Sequence, residues 1–153
     1  TIQIMLGELN KSQIEQVLKN QVIGRIGIHA NNRTYVVPVT YVYADQYIYG
    51  HSKEGLKIKM MRENPSVCFE VDVMENMANW QSVIAWGNFE ELRTDEDKKK
   101  AMKLLVDRIT PLLTSETMHM HDQPNEHQKD VKGVSAVVFR INLGELTGRF
   151  EKR

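Results

Sequence analysis

Apolar and polar residues alternate along several segments of the chain, and such alternation is typical of half-buried strands. The predicted strands cover residues 22–29, 34–43, 47–49, 67–71, 80–92 and 135–143. Apolar positions three and four residues apart predict helices near residues 12–20, 56–62 and 94–108. The short turns between the early strands predict antiparallel pairing and exclude a repeated strand–helix–strand sheet. The pattern therefore predicts a mostly β protein, a six-stranded antiparallel barrel with flanking helices.

Segment 49–72 is predicted to run from a strand through a turn and a short helix into a second strand. Ser52 is a suitable N-cap for this helix. The helix ends at Asn64, because Pro65 disfavours helical backbone in the residue before it. One side of the helix is apolar and the other is cationic: Leu56, Met60 and Met61 against Lys57, Lys59 and Arg62.

The start of this helix suits a phosphate group. Its free backbone N–H groups and partial positive charge favour an anion, and Ser52 adds a hydroxyl while Lys57 adds a full positive charge. An ordinary capped connector with a solvated basic face would contain the same residues. The spacing alone leaves both interpretations open.

Pro38 interrupts the most β-rich run of the sequence, residues 34–43. Because proline cannot donate to a ladder, it belongs on an edge strand or at a bulge. The run is predicted to form a hairpin with the strand that leads to His51 and Ser52, and this position favours the bulge. A ligand with its phosphate at Ser52 could then lay a flat polar ring against residues 37–41.

Composition places the chain among ordinary globular proteins and excludes some partners. Of its 153 residues, 41% are hydrophobic and 26% are charged, which fits a single domain. The net charge of zero gives no general attraction to nucleic acid or anionic membranes. The single cysteine, Cys68, excludes an internal disulfide. The longest apolar runs are too short to span a bilayer, and the first residues show no signal-peptide pattern. We expect a cytoplasmic protein.

Three histidines lie close together in a polar stretch and invite a metal interpretation: His119, His121 and His127. No cysteine or carboxylate spacing completes a known ligand set around them. Residues 115–132 are instead expected to form a mobile, solvated loop, and we predict no metal site.

Three motifs occur in order along the chain: VPVTYVY, YGHSKEGLKIKMMRENPSVCFEVD and WQSVIAWGNFEEL. Together they resemble the FMN-binding split barrels related to pyridoxamine 5′-phosphate oxidase. The most similar branch is that of the flavin-nucleotide-binding and nitroimidazole-resistance proteins. The resemblance extends over residues 8–147. It implies a homodimeric split β-barrel with two FMN sites in the dimer interface.

The resemblance also implies a site for each part of FMN. It places the isoalloxazine ring against residues 37–40, the ribityl phosphate near Ser52 and Lys57, and residues 82–86 against the flavin of the other subunit. The implied cofactor-binding residues are Val37, Pro38, Val39, Thr40, Tyr49, Gly50, His51, Ser52, Lys57, Ser82 and Trp86. His51 is the candidate catalytic residue, expected to hydrogen-bond flavin or substrate and to donate a proton. A strand-end histidine bonded to backbone is the alternative.

The implied activity is reduction of a small acceptor, such as a nitroaromatic, by FMN with electrons from a nicotinamide. The oxidase itself carries an arginine five residues before its phosphate-binding lysine, and here that position is Ser52. Pyridoxine phosphate is therefore not the expected substrate. The competing interpretation is a non-catalytic module that holds flavin or haem for storage or sensing.

Overall fold

The computed structural model describes residues 4–113 and 136–153, and strands dominate this part of the chain. Eight strands occur in it, because a strand precedes the first helix and the predicted strand 34–43 is divided in two. The elements are β1 (Met5–Glu8), α1 (Lys11–Asn20), β2 (Ile23–Ala30), β3 (Arg33–Thr40), β4 (Val42–Ala44), β5 (Tyr47–Lys53), α2 (Leu56–Glu63), β6 (Ser66–Asn76), β7 (Asn79–Leu92), α3 (Asp95–Ile109) and β8 (Ala136–Lys152). A short 3-10 helix, Thr110–Leu112, follows α3.

All strands pair antiparallel in one sheet with the order β3-β2-β6-β7-β8-β5-β4, and β1 pairs with the C-terminal part of β8. The two ends of this order, β3 and β4, are consecutive in the chain and are separated only by Tyr41. The sheet must therefore curl until its two ends meet at Tyr41, although no ladder of hydrogen bonds between described strands closes it. This confirms the predicted split, mostly β architecture with flanking helices.

The inner face of the curled sheet holds the main core. Side chains without solvent exposure, such as Ile26, Phe69, Val83 and Ile141, fill it. Each such side chain contributes about 1.5–3 kcal/mol by burial. The helices α1 and α2 add their apolar sides to this core. A second, smaller cluster lies under α3, where Leu105 packs with residues of β5 and β8.

The ends of the flanking helices follow from local hydrogen bonds. Asn10 is the N-cap of α1 and forms a reciprocal capping box with Gln13, so the helix begins at Lys11, one residue before the predicted start. Thr94, at the predicted start of this helix, caps α3 by accepting a hydrogen bond from the backbone N–H of Asp97. In both helices the N-cap side chain accepts a hydrogen bond from a backbone N–H of the first turn, which has no partner within the helix.

Pro38 lies on an edge strand in regular register opposite Arg25, so the predicted bulge at this position is wrong. Proline is tolerated on an edge strand, because one side of such a strand has no neighbour that needs a backbone N–H donor. The register instead shifts between Ala85 and Gly87, within the predicted strand 80–92. There two residues of β8, Gly144 and Glu145, stand opposite a single residue of β7. The C-terminal segment continues through this bulge as one strand, beyond the predicted end at residue 143.

Candidate functional site

The strands β3 and β5 do not pair beyond the Val42–Tyr49 pair, and we call the gap between them the cleft. The ladder between β4 and β5 ends at this pair. From Thr40 backwards the chain pairs with β2, whereas β5 continues along β8. The predicted hairpin between the Pro38 strand and β5 is thus limited to the three residues of β4. Among the described residues, the edge of 37–40 that faces β5 has no strand partner. Unpaired N–H and C=O groups on such edges can bind a polar ligand.

Side chains of β3 alternate between the core and the outside. Val39 is buried and Val37 is half-buried against the core, whereas Pro38 and Thr40 are exposed. The two valines can therefore offer a ligand in the cleft mainly their backbone, while Pro38 and Thr40 can offer side chains.

The predicted site residues of β5 differ in their surroundings. Tyr49 packs under α3 in the smaller core, and Gly50 is buried so closely against Phe139 that a Cβ atom would lie 2.8 Å from that ring. His51 is exposed, and Ser52 is half-buried. The Ser52 hydroxyl donates to the backbone carbonyl of Lys53 at 2.9 Å. The prediction of Ser52 as N-cap is wrong, because β5 extends through Ser52 and the N-cap of α2 is Gly55, three residues later.

The N-cap of α2 is Gly55, which has extended backbone and no side-chain hydrogen bond to the helix. Its carbonyl accepts the first helical hydrogen bond, from the N–H of Lys59, at 3.0 Å. The N–H groups of the first turn are therefore not satisfied by a capping side chain.

Lys57 is the second residue of α2 and is half-buried. Burial lowers the pKa of its ammonium group, because water solvates the charged form less well there. Among residues 4–113 and 136–153, no carboxylate lies within 4.0 Å of this ammonium. A partly desolvated cation without an acidic partner, beside an uncapped helix start, is suited to an anion.

Arg62 was predicted on the cationic side of the helix, and the structure gives it two carboxylate partners. Its guanidinium donates to both oxygens of Glu54 at 2.8 and 2.7 Å and to both oxygens of Glu91. These hydrogen bonds raise the pKa of Arg62 and lower the pKa of Glu91. No local sequence pattern indicates this pairing, since the two partners are 8 and 29 residues away.

Ser82 and Trp86 lie on the outer face, by which we mean the side of β3, β2, β6 and β7 that points away from the core. Trp86 is 42% exposed. From Thr40 on β3 to Ser82 on β7 there are three strand spacings, about 14 Å at roughly 4.8 Å each. The outer face of one chain therefore does not bring Ser82 to the cleft of that chain.

The outer face combines exposed apolar side chains with a charged centre. Its exposed apolar residues are Ile23, Val36, Met74, Ile84 and Trp86. Between them the Arg25 guanidinium lies 3.7 Å from both Glu70 and Asp72. Burial and the neighbouring Asp72 raise the pKa of Glu70, while Arg25 opposes this shift. Several exposed apolar side chains on one face are typical of an interaction surface.

A surface concavity of about 580 Å³ lies between α1 and the turn that joins β4 to β5. Its lining residues are Glu15, Lys19, Tyr43, Ala44, Asp45 and Gln46, none of which was predicted to bind a ligand. Burial, and then the nearby Glu15 carboxylate, raise the pKa of Tyr43. This concavity is distinct from the cleft between β3 and β5.

The three histidines considered for a metal, and the loop predicted at 115–132, lie outside the described residues. Within the described part of the chain, no group of three or more His, Cys, Asp or Glu side chains is arranged to hold a metal ion. No described helix is long and apolar enough to cross a membrane.

Comparison with known proteins gives consistent matches over nearly the whole chain. A family model described as pyridoxamine 5′-phosphate oxidase matches residues 10–150. An uncharacterised protein of Rhizobium meliloti strain 1021 is 25% identical over 146 residues, which is 92% of either chain. A FAD-binding protein of Mesorhizobium loti has a crystal structure that superposes with a TM-score of 0.77 at 25% identity, covering 99% of this chain and 100% of the other.

A proposed 5-nitroimidazole antibiotic resistance protein of Bacteroides thetaiotaomicron superposes with a TM-score of 0.71. The alignment covers 98% of this chain and 90% of that one, at 19% identity. A likeness at this identity concerns the fold alone.

Proposed function

Since the chain belongs to the pyridoxamine 5′-phosphate oxidase family, we propose that it binds FMN in the cleft between β3 and β5. The observation that carries this proposal is Lys57, a half-buried cation without an acidic partner in the described residues, at the uncapped start of α2. The similarity to a FAD-binding protein of Mesorhizobium loti supports a flavin as the ligand.

The phosphate of FMN fits the start of α2. A phosphate monoester is largely dianionic near neutral pH, and Lys57 together with the backbone N–H groups of the first turn would neutralise it. Ser52 lies on the strand that leads into this turn and would add a hydroxyl. FMN ends in this dianionic group, so its phosphate can enter the start of α2 end-on, whereas FAD continues from its phosphates into a second nucleotide.

The ring of FMN fits the edge of β3. Its polar rim carries hydrogen-bond donors and acceptors, which the unpaired backbone edge of residues 37–40 can match. Pro38 and Thr40 would contact the ring by their exposed side chains. Tyr49 and Gly50 would contribute through backbone, because the Tyr49 side chain packs under α3 and Gly50 has none.

A second copy of the chain would complete the site. The outer face offers the apolar surface for such a homodimer, and its centre is the Arg25 cluster. Ser82 and Trp86 lie on this face, about 14 Å from the β3 edge of their own chain by strand spacing, so they would reach a flavin bound to the partner.

The proposed activity is an oxidoreductase that takes electrons from a nicotinamide and passes them to a small acceptor such as a nitroaromatic. The flavin would supply the redox chemistry by accepting and releasing a hydride. The residues of the chain would orient the ring and exclude water from it. His51, exposed on the β5 edge of the cleft, would hydrogen-bond the ring or the acceptor and deliver a proton. The half-exposed thiol of Cys68 suits a reducing cytoplasm.

An absorption spectrum of the purified protein, before and after addition of FMN and then anaerobic NADPH, tests this proposal. We expect a bound-flavin spectrum that bleaches with NADPH. A flavin that binds but stays oxidised with NADPH and NADH would replace the reductase by a non-catalytic flavin module. A Soret band would indicate haem, and no retained chromophore with excess FMN would refute flavin binding altogether.

A further inference from the structure

Arg62 makes the most extensive set of charged hydrogen bonds in the described residues, and it does so beside the proposed phosphate site. It lies in the last turn of α2, and its guanidinium reaches back along the helix to Glu54, the residue before the N-cap. The same group is held on the other side by Glu91 of β7. Arg93 also donates a hydrogen bond to Glu91, at 2.9 Å, so the Glu91 carboxylate is paired with a second cation.

The position of Glu54 creates a problem for any anion at the start of α2. A carboxylate next to a helix N-terminus is stabilised there, because the free N–H groups and the helix dipole attract it. Glu54 is three residues from Lys57 and one residue from an N-cap that provides no side chain of its own. A free Glu54 carboxylate would therefore compete with a phosphate for these donors and would repel it.

The observed hydrogen bonds remove this competition. Both oxygens of Glu54 are occupied by two nitrogens of Arg62, a bidentate arrangement that fixes the orientation of the carboxylate as well as neutralising it. The Glu54 side chain is thereby directed along α2 towards Arg62. The first-turn N–H groups and Lys57 stay available.

We propose that Arg62 is a positioning residue that holds the Glu54 carboxylate away from the start of α2 and so keeps this site open to a phosphate. The inference rests on the proposed function, since it concerns the same phosphate site. It assigns to Arg62 an effect on affinity for the phosphate group, with no direct contact to the ligand.

Fluorescence titrations of the full chain with FMN and with riboflavin, which lacks the phosphate, test this inference. We expect Arg62→Gln to weaken FMN binding about tenfold while riboflavin binding changes less than about twofold. Arg62→Lys keeps the charge without the bidentate geometry, so its FMN affinity should lie between those of the wild type and Arg62→Gln. The unchanged riboflavin affinity serves as evidence that the cleft has folded.

The decisive comparison uses two double variants of equal net charge. Replacing Glu54 together with Arg62 (E54Q/R62Q) should restore FMN affinity to within about threefold of the wild type, because the competitor is gone. Replacing Glu91 together with Arg62 (R62Q/E91Q) should leave FMN binding weak, because Glu54 is still free. Should Arg62→Gln alone fail to fold, these two double variants and Arg62→Lys carry the same comparison.

The results distinguish a failure of the proposed role of Arg62 from a failure of flavin binding. Equal restoration by both double variants, or equal losses for FMN and riboflavin, would overturn the role of Arg62 while leaving flavin binding intact. A wild-type protein that binds neither flavin would overturn the proposed function and this inference with it.

Discussion

The Tyr41 hydroxyl donates a 2.8 Å hydrogen bond to the backbone carbonyl of Leu18, and both residues are completely buried. The bond ties the point where β3 passes into β4 to the end of α1. Arg108 of α3 donates to the next two carbonyls of α1, at 3.4 and 3.2 Å. The last carbonyls of α1 are therefore satisfied by side chains from two other elements, where a helix by itself leaves them unpaired.

Replacing Tyr41 by Phe should lower the free energy of unfolding by about 1–3 kcal/mol. The phenylalanine ring would keep the edge-on contact with Phe69, whose centroid lies 4.8 Å away, but the buried Leu18 carbonyl would lose its donor. Urea unfolding measures the change. Tyr35→Phe is the control, because the Tyr35 hydroxyl has no hydrogen bond within the described ranges, and an equal loss in both variants would contradict the assignment.

A second prediction concerns Gly87, where the sheet leaves no room for a side chain. A Cβ atom there would lie 2.3 Å from the backbone carbonyl oxygen of Asn142, which cannot move without breaking β8 from β7. We expect Gly87→Ala to destabilise the fold by about 1–3 kcal/mol, the range for overpacking. Gly55→Ala is the matched control, because nothing lies within 4 Å of its Cβ position. Thermal unfolding of the two variants should differ clearly, and similar midpoints would count against this explanation.

Local signals in the sequence predicted local structure well. Thr94, the break at Pro65 and the alternation on either side of Gly87 each act through neighbouring residues, and the structure has each feature close to where it was expected. Pro38 was ambiguous because an edge and a bulge accommodate a proline equally well, and only the strand order decides between them.

Features that depend on distant residues could not be predicted in this way. Ser52 looks like an N-cap in sequence, but pairing of β5 with β8 extends the strand through it and moves the helix start to Leu56. The separation of β3 from β5, and the partners of Arg62, depend on how far the sheet curls. Lys57 was identified from spacing, yet its half-burial and lack of an acidic partner in the described residues came only from the fold.

For Lys57 we predict a specific loss of phosphate recognition. Lys57→Gln should weaken FMN binding by about tenfold or more, the value of a charge-assisted hydrogen bond, and should leave riboflavin binding almost unchanged. Lys59→Gln on the same helix is the control, since that side chain is exposed. FMN titrations compare the two variants directly. Equal losses of FMN affinity in both would mean that the overall positive charge of α2, and not Lys57 itself, attracts the phosphate.

The lowered pKa of Lys57 adds a pH dependence with a definite sign. Bound phosphate favours the ammonium form, so FMN affinity should fall as the pH rises through this lowered pKa, below the ordinary value of 10.5. The ligand-free protein should behave oppositely, gaining stability over the same interval, because there the unfolded chain binds more protons than the folded one. Both effects should vanish in Lys57→Gln, and their persistence would assign them to another group.

His51 is predicted to act on turnover rather than on cofactor binding. If it delivers a proton to the acceptor, His51→Ala should lower turnover by about 10²-fold or more, with FMN affinity changed far less. His29→Ala is the control, because His29 is a second exposed histidine that pairs with Thr34 at the far end of β2. Steady-state assays with NADPH and a nitroaromatic acceptor would show the difference, and unchanged turnover would remove the catalytic role.

The outer face gives the last prediction, which separates dimer formation from folding. Ile84 lies opposite Glu70 on β6 and Thr147 on β8, and it is 38% exposed in the single chain. In Ile84→Lys the new ammonium group can pair with Glu70, so the monomer should fold. Burying the same charge against a second copy would be costly, and the dimer should dissociate.

Light scattering at one concentration should then show a dimer for the wild type and a monomer for Ile84→Lys. FMN affinity should fall with dissociation, because Ser82 and Trp86 of the partner would no longer reach the ring. Leu112→Lys is the matched control, an exposed leucine in the 3-10 helix after α3 and away from this face. A monomeric wild type, or a monomeric Ile84→Lys that still binds FMN as tightly, would mean that one chain alone completes the site.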